Sequence, residues 1–396
     1  MRIGMILDKT FPPDPRVENE AISLINAGHE VFLFCLKYGD EKENEIVKGI
    51  QVKRYKSNDF IYKLSALAYT FPFYSNILSK MIFNFLVSNK IEVIHIHDIQ
   101  IAEATSKANK KLKLKTVLDL HENRPAIMKF YPHLQKFPGK FLISANKWRQ
   151  KEEEFIVKST NIIVVTNEAK NEIVERVGVD ASKIFVVPNT VSSSYLENAV
   201  FQNEILENYK NYFVLLYVGD TGLRRGLQTS IESVSLLKEK IPNIKLVIVG
   251  SNSSDEILMK QAIELGIQNF VDFEGWQNES LFPSYIKASS ICISPLHRNL
   301  HHDTTYANKI FQYMSFGRPL LVSDAISQKN IVERANSGLV HIEKNPQDFA
   351  DKILQLYADQ DLRERLGRNG KQFIEEEFCW EKTSKKLIAL YENLSK

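Results

Sequence analysis

Short apolar runs separated by helical segments constrain this chain more than any other feature. In the first half they fall at residues 2–7, 31–36, 50–55, 93–96, 115–120, 162–165 and 184–187. A more polar stretch from 190 to 211 interrupts the pattern, which then restarts at 213–218, 244–249, 291–294 and 320–323. Runs this short and this apolar are strands buried on both faces, and strands alternating with helices form a parallel sheet covered on both sides. The same grammar written twice predicts an α/β protein of two doubly wound domains facing an interdomain cleft. A length of 396 residues also exceeds what a single core usually covers. The boundaries expected are a first domain over 1–195, a second over 205–378, and a terminal helix over 379–396 packing back toward the first. Within the helical C-terminal quarter the pattern predicts helices over 346–357, 361–378 and 381–394, with Asp361 as a cap rather than a metal ligand.

Composition matters mainly for what it excludes. A formal charge of +3, from 51 basic and 48 acidic residues, gives no global attraction to nucleic acid. Cys35, Cys292 and Cys379 are odd in number and far apart, the pattern of buried thiols in a reducing compartment and not of a disulfide framework. No window approaches the roughly 18 apolar residues of a membrane span, and the N-terminus reads as a first strand and not as a signal peptide. The expected location is cytoplasmic, peripheral at the inner face of the plasma membrane. Two stretches motivate the membrane contact. Residues 60–91 lack acidic side chains and are rich in aromatics, and residues 123–151 are acid-free and interleave lysine and arginine with phenylalanine, tyrosine and tryptophan. Basic residues among aromatics suit an anionic membrane surface, against the plainer reading of core aromatics beside solvated lysines.

Ligands of doubly wound sheets bind beyond the carboxyl ends of the strands. Polar residues collect there: Asp8, His97 with Asp98, His121 with Glu122, and Asn189. The loop and helix over 297–317 add His297, His301, His302, Asp303, Thr304, Thr305, Asn308, Lys309 and Gln312. Thr304 and Thr305 stand where an N-cap would, and a helix N-terminus with a lysine beside it attracts an anion. Arg224-Arg225-Gly226 follows the strand at 213–218, offering a guanidinium fork for paired phosphate oxygens next to a residue that lets backbone approach closely. Six of the nine histidines lie in three clusters. Read alone, His97, Asp98 and His121 could converge on a divalent ion, which makes a metal-dependent hydrolase the rival function. In the other reading His97 and His121 are hydrogen-bonding groups directed at a reacting oxygen or a sugar hydroxyl.

Tyr217 to Asp220, Arg225-Gly226, Val249-Gly250, Phe273 to Trp276, Ala307 to Pro319, Leu366 to Gly370 and Trp380, taken in order, resemble the retaining glycosyltransferases of glycosyltransferase family 4. Pro15 to Glu20, Ala27 to Val31, His95 to Asp98 and Leu118 to Glu122 are similar to the first domain of the same family. The resemblance implies the GT-B architecture of two Rossmann-like domains, the second taking a nucleotide-diphosphate sugar and the first an acceptor that is a glycan, a lipid-linked or a protein-linked group. It implies diphosphate contacts from Arg225 and Lys309, a base bordered by Glu274 to Gln277, and His121 beside the donor sugar. The implied donor set also includes Gly222, Arg224, Gly226, Gly250, Gly275, Trp276, Asp303, Thr304, Thr305, Asn308 and Gln312, with Arg16, His97, Asp98 and Glu122 on the acceptor or sugar side. Transfer with retention, in hexosyl or N-acetylhexosaminyl form, no metal or other cofactor, and a role in surface polysaccharide or glycoconjugate synthesis follow from the same resemblance. So do two alternatives on that architecture, a nucleotide-sugar epimerase and an inactive binding relative. Three departures stand out. Thr304 and Gln312 occupy the places of the family's paired glutamates, Asp220 replaces an arginine, and Lys9 to Pro15 replaces a glycine-rich loop, leaving Arg16 to supply an anion contact. A neutral bond from Gln312 to a ribose would be weaker than a charged one by roughly 1 kcal/mol, about fivefold in affinity.

Overall fold

The structure is a computed structural model that describes residues 1–131, 134, 136, 137 and 139–395. The expected membrane stretch over 123–151 therefore includes Pro132, His133, Gln135 and Pro138, which lie outside the described residues, as does Lys396 of the terminal helix. The chain divides into two compact units, Met1–Pro188 joined by the terminal segment from Thr383, and Asn189–Lys382.

Unit 1 is built on an eight-stranded sheet. In chain order its strands are β1 (Arg2–Ile6), β2 (Glu30–Lys37), β3 (Asn44–Val47), β4 (Ile50–Lys56), β5 (Val93–His97), β6 (Lys115–Leu120), β7 (Asn161–Val164) and β8 (Ile184–Val186). They lie in the order β3-β4-β2-β1-β5-β6-β7-β8. All neighbours run parallel except β3, which pairs antiparallel with β4. The central strands are apolar because helices cover both faces: Ile3, Met5 and Ile6 of β1 and Leu33 and Phe34 of β2 are fully buried. The strand order reverses between β1 and β5, the point at which such sheets open a crevice for ligands.

Unit 2 repeats the plan with six strands, β9 (Phe213–Val218), β10 (Ile244–Val249), β11 (Val271–Gly275), β12 (Ile291–Ser294), β13 (Leu320–Ser323) and β14 (Gly338–His341). The order is β11-β10-β9-β12-β13-β14, all parallel, with the reversal between β9 and β12. β9 and β10 are buried along their whole length.

The C-terminal quarter differs from expectation in detail. Asp359, not Asp361, accepts the Leu362 amide and caps the helix Gln360–Phe373, which then widens into a π turn over Ile374–Phe378. The last predicted helix breaks at Ser384 into Trp380–Thr383 and Lys385–Leu394. Leu387, Leu390, Tyr391 and Leu394 recur at helical spacing on the buried face of the final helix, which belongs to unit 1. Of the aromatics in the two acid-free stretches, Tyr69, Tyr74, Phe85 and Trp148 belong to the unit 1 core, while Phe60, Tyr62, Phe73, Phe137 and Phe141 are exposed. No helix among the described residues is long and apolar enough to cross a membrane.

Candidate active site

In unit 2 the polar residues gather where β9, β10 and β12 end. Gly226 takes φ 77° between the turn Leu223–Arg225 and the helix Leu227–Leu237. A Cβ there would lie 1.8 Å from the carbonyl oxygen of Pro295, so only glycine lets this loop close on the end of β12. A Cβ on Gly219, at the tip of β9, would lie 3.1 Å from the Lys309 Nζ. That ammonium sits 3.5 Å above the Tyr217 ring and is buried without a hydrogen-bond acceptor. Burial holds its pKa well below the ordinary lysine range, with Arg225 and Arg224 adding to the effect. A lysine so placed gains most when an anion arrives.

The two arginines share one carboxylate. Asp220 Oδ2 accepts from Arg224 Nη2 and from Arg225 Nε, each at 3.2 Å, and Oδ1 accepts from the Gly222 amide at 3.2 Å. Burial works against Asp220's charge, but Arg225 and the Asn252 amide hold its pKa below the usual carboxylate range. Asp220 thus stands in for an anion among cations. His302 Nδ1 lies 2.7 Å from the His297 carbonyl, which can only accept, so Nε2 is the acceptor facing Arg224 Nη1 at 3.2 Å. Burial beside the arginines lowers His301 to about 2 and His302 to about 3, leaving both neutral.

Several sequence expectations need correction here. Thr304 ends the helix Leu300–Thr304, with its hydroxyl donating to the Leu300 carbonyl, and Thr305 is the residue after it. Neither caps the helix Lys309–Ser315, which starts at Asn308 without a side-chain cap. The capping residue in this loop is Asn299, accepting from the His302 amide at 3.0 Å. Asp303 is tied to Arg298 and to the Ile326 amide. Glu274 accepts from the hydroxyls of Tyr209 and Tyr285 at 2.7 and 2.6 Å, so its carboxylate braces the unit. Gly275 accepts the Gly250 amide at 2.7 Å, and Trp276 beside it is 74% exposed. Asn308 is exposed and Gln312 half-buried, three residues on from Lys309 and so beside it on the helix surface.

In unit 1 the buried groups form a network around Asp119, the fifth residue of β6. Arg16 donates to both its oxygens at 3.0 and 2.7 Å, pairs with Glu20 at 2.9 Å and donates to the Val187 carbonyl. Arg16 is 3% exposed, so it organises this network and does not supply an anion contact at the surface. The sequence hid this because a guanidinium after a proline-rich loop reads equally as a surface cation. His121 Nε2 lies 2.8 Å from Asp119 Oδ2 and 3.3 Å from His97 Nδ1. Burial opposes charge on His121, but the Asp119 carboxylate outweighs it and raises the pKa to about 9. His97 has the opposite fate, lowered well below 6.5 by burial and by its neighbour His95. His95 stacks on His97 and bonds through Nδ1 to the Tyr391 hydroxyl at 2.7 Å. Asp98 carries φ 71° at the end of β5, and Glu122 pairs with Arg124 at 3.0 Å.

Among the described residues the ligand atoms of Glu20, His95, His97 and Asp119 lie within 4.8 Å of one another. The set expected for a hydrolase, His97 with Asp98 and His121, is not the one brought together. The guanidinium of Arg16 already spans Asp119 and Glu20, and a second buried cation there would meet its repulsion. Burial also pushes Glu20 up to about 7, against the pull of Arg16.

Two family sequence models match the chain, Glycosyltransferase Family 4 over residues 16–195 and Glycosyl transferases group 1 over residues 200–373. An uncharacterized glycosyltransferase of Methanocaldococcus jannaschii is 21% identical, covering 99% of this chain and 98% of its own. Among solved structures, the sucrose-phosphate synthase of Thermosynechococcus elongatus superposes with a TM-score of 0.78 at 16% identity, over 99% of this chain and 98% of that one. HepE of Anabaena, in complex with UDP and glucose, superposes with a TM-score of 0.75 at 14% identity, over 99% and 100% of the two chains.

Proposed function

The chain belongs to the group 1 glycosyltransferases of family 4, built on the GT-B fold, and from that premise we propose that it moves a sugar from a nucleotide-diphosphate sugar, with retention, to a glycan, lipid-linked or protein-linked acceptor in surface polysaccharide or glycoconjugate synthesis. Unit 2 takes the donor. The observation that carries this reading is Lys309, a buried side-chain amine without an acceptor whose pKa is lowered by burial and by the nearby Arg225 and Arg224, two arginines that share a single carboxylate. A diphosphate would give Lys309 an acceptor and the two arginines an anion beyond the Asp220 carboxylate they share, and the likeness to HepE with UDP and glucose supports a uridine nucleotide.

The chemistry then divides among named groups. In unit 2 Arg225 and Lys309 neutralise the diphosphate as the bond to the sugar breaks, and in unit 1 the protonated His121 offers a hydrogen-bond donor to a sugar hydroxyl. The leaving diphosphate takes part in deprotonating the acceptor hydroxyl. With cations supplied by side chains, no metal is needed, and transfer proceeds unchanged in a chelator. The protein works at the cytoplasmic membrane face, where its exposed aromatic residues meet the lipid. Arg225→Ala and Lys309→Ala test the donor assignment. Each is expected to lower kcat/KM by about 100-fold or more, the scale of losing a charge-stabilising group in the transition state. The melting temperature should stay within a few degrees, since neither side chain braces the core. Full transfer activity in both variants would remove the diphosphate from this pocket.

A further inference from the structure

Unit 1 contains a cavity of about 520 Å³ beyond the carboxyl ends of β1 and β2, beside that sheet's reversal point. The size is that of a small-molecule site, typically about 300–1,000 Å³. Aliphatic side chains, Ile61, Met128, Leu134 and Ile143 among them, share its walls with tyrosines and with polar groups such as Ser65 and Gln100. Trp148 also lines it, is 2% exposed, and keeps an indole N–H buried without a hydrogen-bond partner. A donor in that state calls for an acceptor atom inside the cavity.

The charges of the cavity are lopsided. Lys9 and Lys63 stand exposed at its edge. Arg124 adds a third cation, itself engaged by Glu122 and Gln100 at 3.0 Å each. The carboxyl in the lining is Asp8, which accepts from the Tyr74 hydroxyl at 2.9 Å, and burial raises its pKa. Around this site the surface is apolar. Tyr62 in the lining is 66% exposed, and Phe137 and Phe141, from the segment that also supplies Leu134 and Ile143, are 84% and 78% exposed. The Thr70 hydroxyl donates to the Leu142 carbonyl at 2.6 Å and ties that segment to the one carrying Ile61 and Lys63.

We propose that this cavity seats an acceptor with an aliphatic chain and an anionic phosphate head, a membrane lipid phosphate, its chain along Ile61, Met128 and Ile143 and its head at Lys9 and Lys63. The assignment rests on unit 1 being the acceptor side, and it narrows the acceptor to one class. A lipid chain fits the aliphatic part of the wall, and its phosphate meets the lysines.

The test is calorimetric titration with decyl phosphate below its micelle concentration, with decanol and inorganic phosphate as separate arms and UDP as a control for unit 2. Decyl phosphate is expected to bind at least tenfold tighter than either fragment. The double variant Lys9→Ala, Lys63→Ala should bring it down to the decanol value, and Ile143→Glu should remove it, with UDP binding unchanged in both. Equal affinity for decanol and decyl phosphate, or decyl phosphate binding untouched by the lysine substitutions, overturns the proposal. Loss of UDP binding by the unaltered protein would count against the donor pocket alone, because the decyl phosphate arm does not involve unit 2.

Discussion

Asp220 is the residue whose identity does most to set the donor pocket apart. The resembled family often carries an arginine here; this chain has Asp220, whose carboxylate accepts from Arg224 and Arg225 at 3.2 Å each. A diphosphate entering this pocket competes with that carboxylate for the same guanidinium groups. Asp220→Asn should therefore tighten nucleotide diphosphate binding by about tenfold, equivalent to about 1.4 kcal/mol, measured by titration with UDP. Unchanged or weaker binding would mean that Asp220 positions the arginines and does not compete. His121 gives a second residue-level prediction. Its folded pKa of about 9 lies above its ordinary 6.5, so the folded state holds a proton that the unfolded state releases. Its contribution to stability is complete below about pH 6.5 and disappears as pH rises through about 9. The melting temperature should fall across that window, and His121→Gln should flatten the decline. An identical slope in the variant would place the titration elsewhere. The sequence revealed both residues but not their partners. That Arg16 would turn inward to Asp119 depends on a contact 103 positions away in the chain, which no local pattern records.

At the scale of elements, strand periodicity carried well and helix ends did not. Buried parallel strands announce themselves as apolar runs, whereas β3 is an exposed edge strand, β11 interleaves Asp272 and Glu274 with apolar residues, and β14 is a four-residue strand with a glycine start. Those three were missed. The threonine cap failed because Asn299, five residues upstream of Thr304, had already started a separate short helix. Two elements invite substitution. Gly226→Ala would push a methyl group onto the Pro295 carbonyl in a left-handed backbone conformation, a strain of about 1–3 kcal/mol. Denaturant unfolding should register that loss, together with weaker donor binding. The terminal helix Lys385–Leu394 buries Leu387, Leu390 and Tyr391 against unit 1 and gives the Tyr391 hydroxyl to His95. At about 1.5–3 kcal/mol per buried side chain, ending the chain before Lys385 should cost several kcal/mol. Because the lost contacts belong to unit 1, its unfolding should move to lower denaturant while unit 2 keeps its own transition. A truncated protein as stable as the full chain would contradict the role given to this helix.

For the whole molecule, the doubled strand grammar was enough to predict two doubly wound units, and the rule that ligands bind where strand order reverses directs attention to the polar residues at the strand ends of each. In unit 2 that place is the junction of β9 and β12, where Gly219 lies against Lys309 and Gly226 against Pro295. What the sequence could not convey was burial. In the sequence Lys309 reads as a cation beside a helix N-terminus, and only the folded chain shows its amine enclosed with no acceptor. The central claim is that this enclosed lysine and the arginines beside it wait for a diphosphate. The most direct measurement is the melting temperature of the intact protein with UDP, with uridine, and with each in excess chelator. A ligand at 100 times its Kd stabilises the state it binds by about 2.7 kcal/mol. A diphosphate pocket predicts a rise of several degrees with UDP but little with uridine, unchanged by chelator and lost in Lys309→Ala. The same rise with uridine, or one that persists in Lys309→Ala, would contradict it.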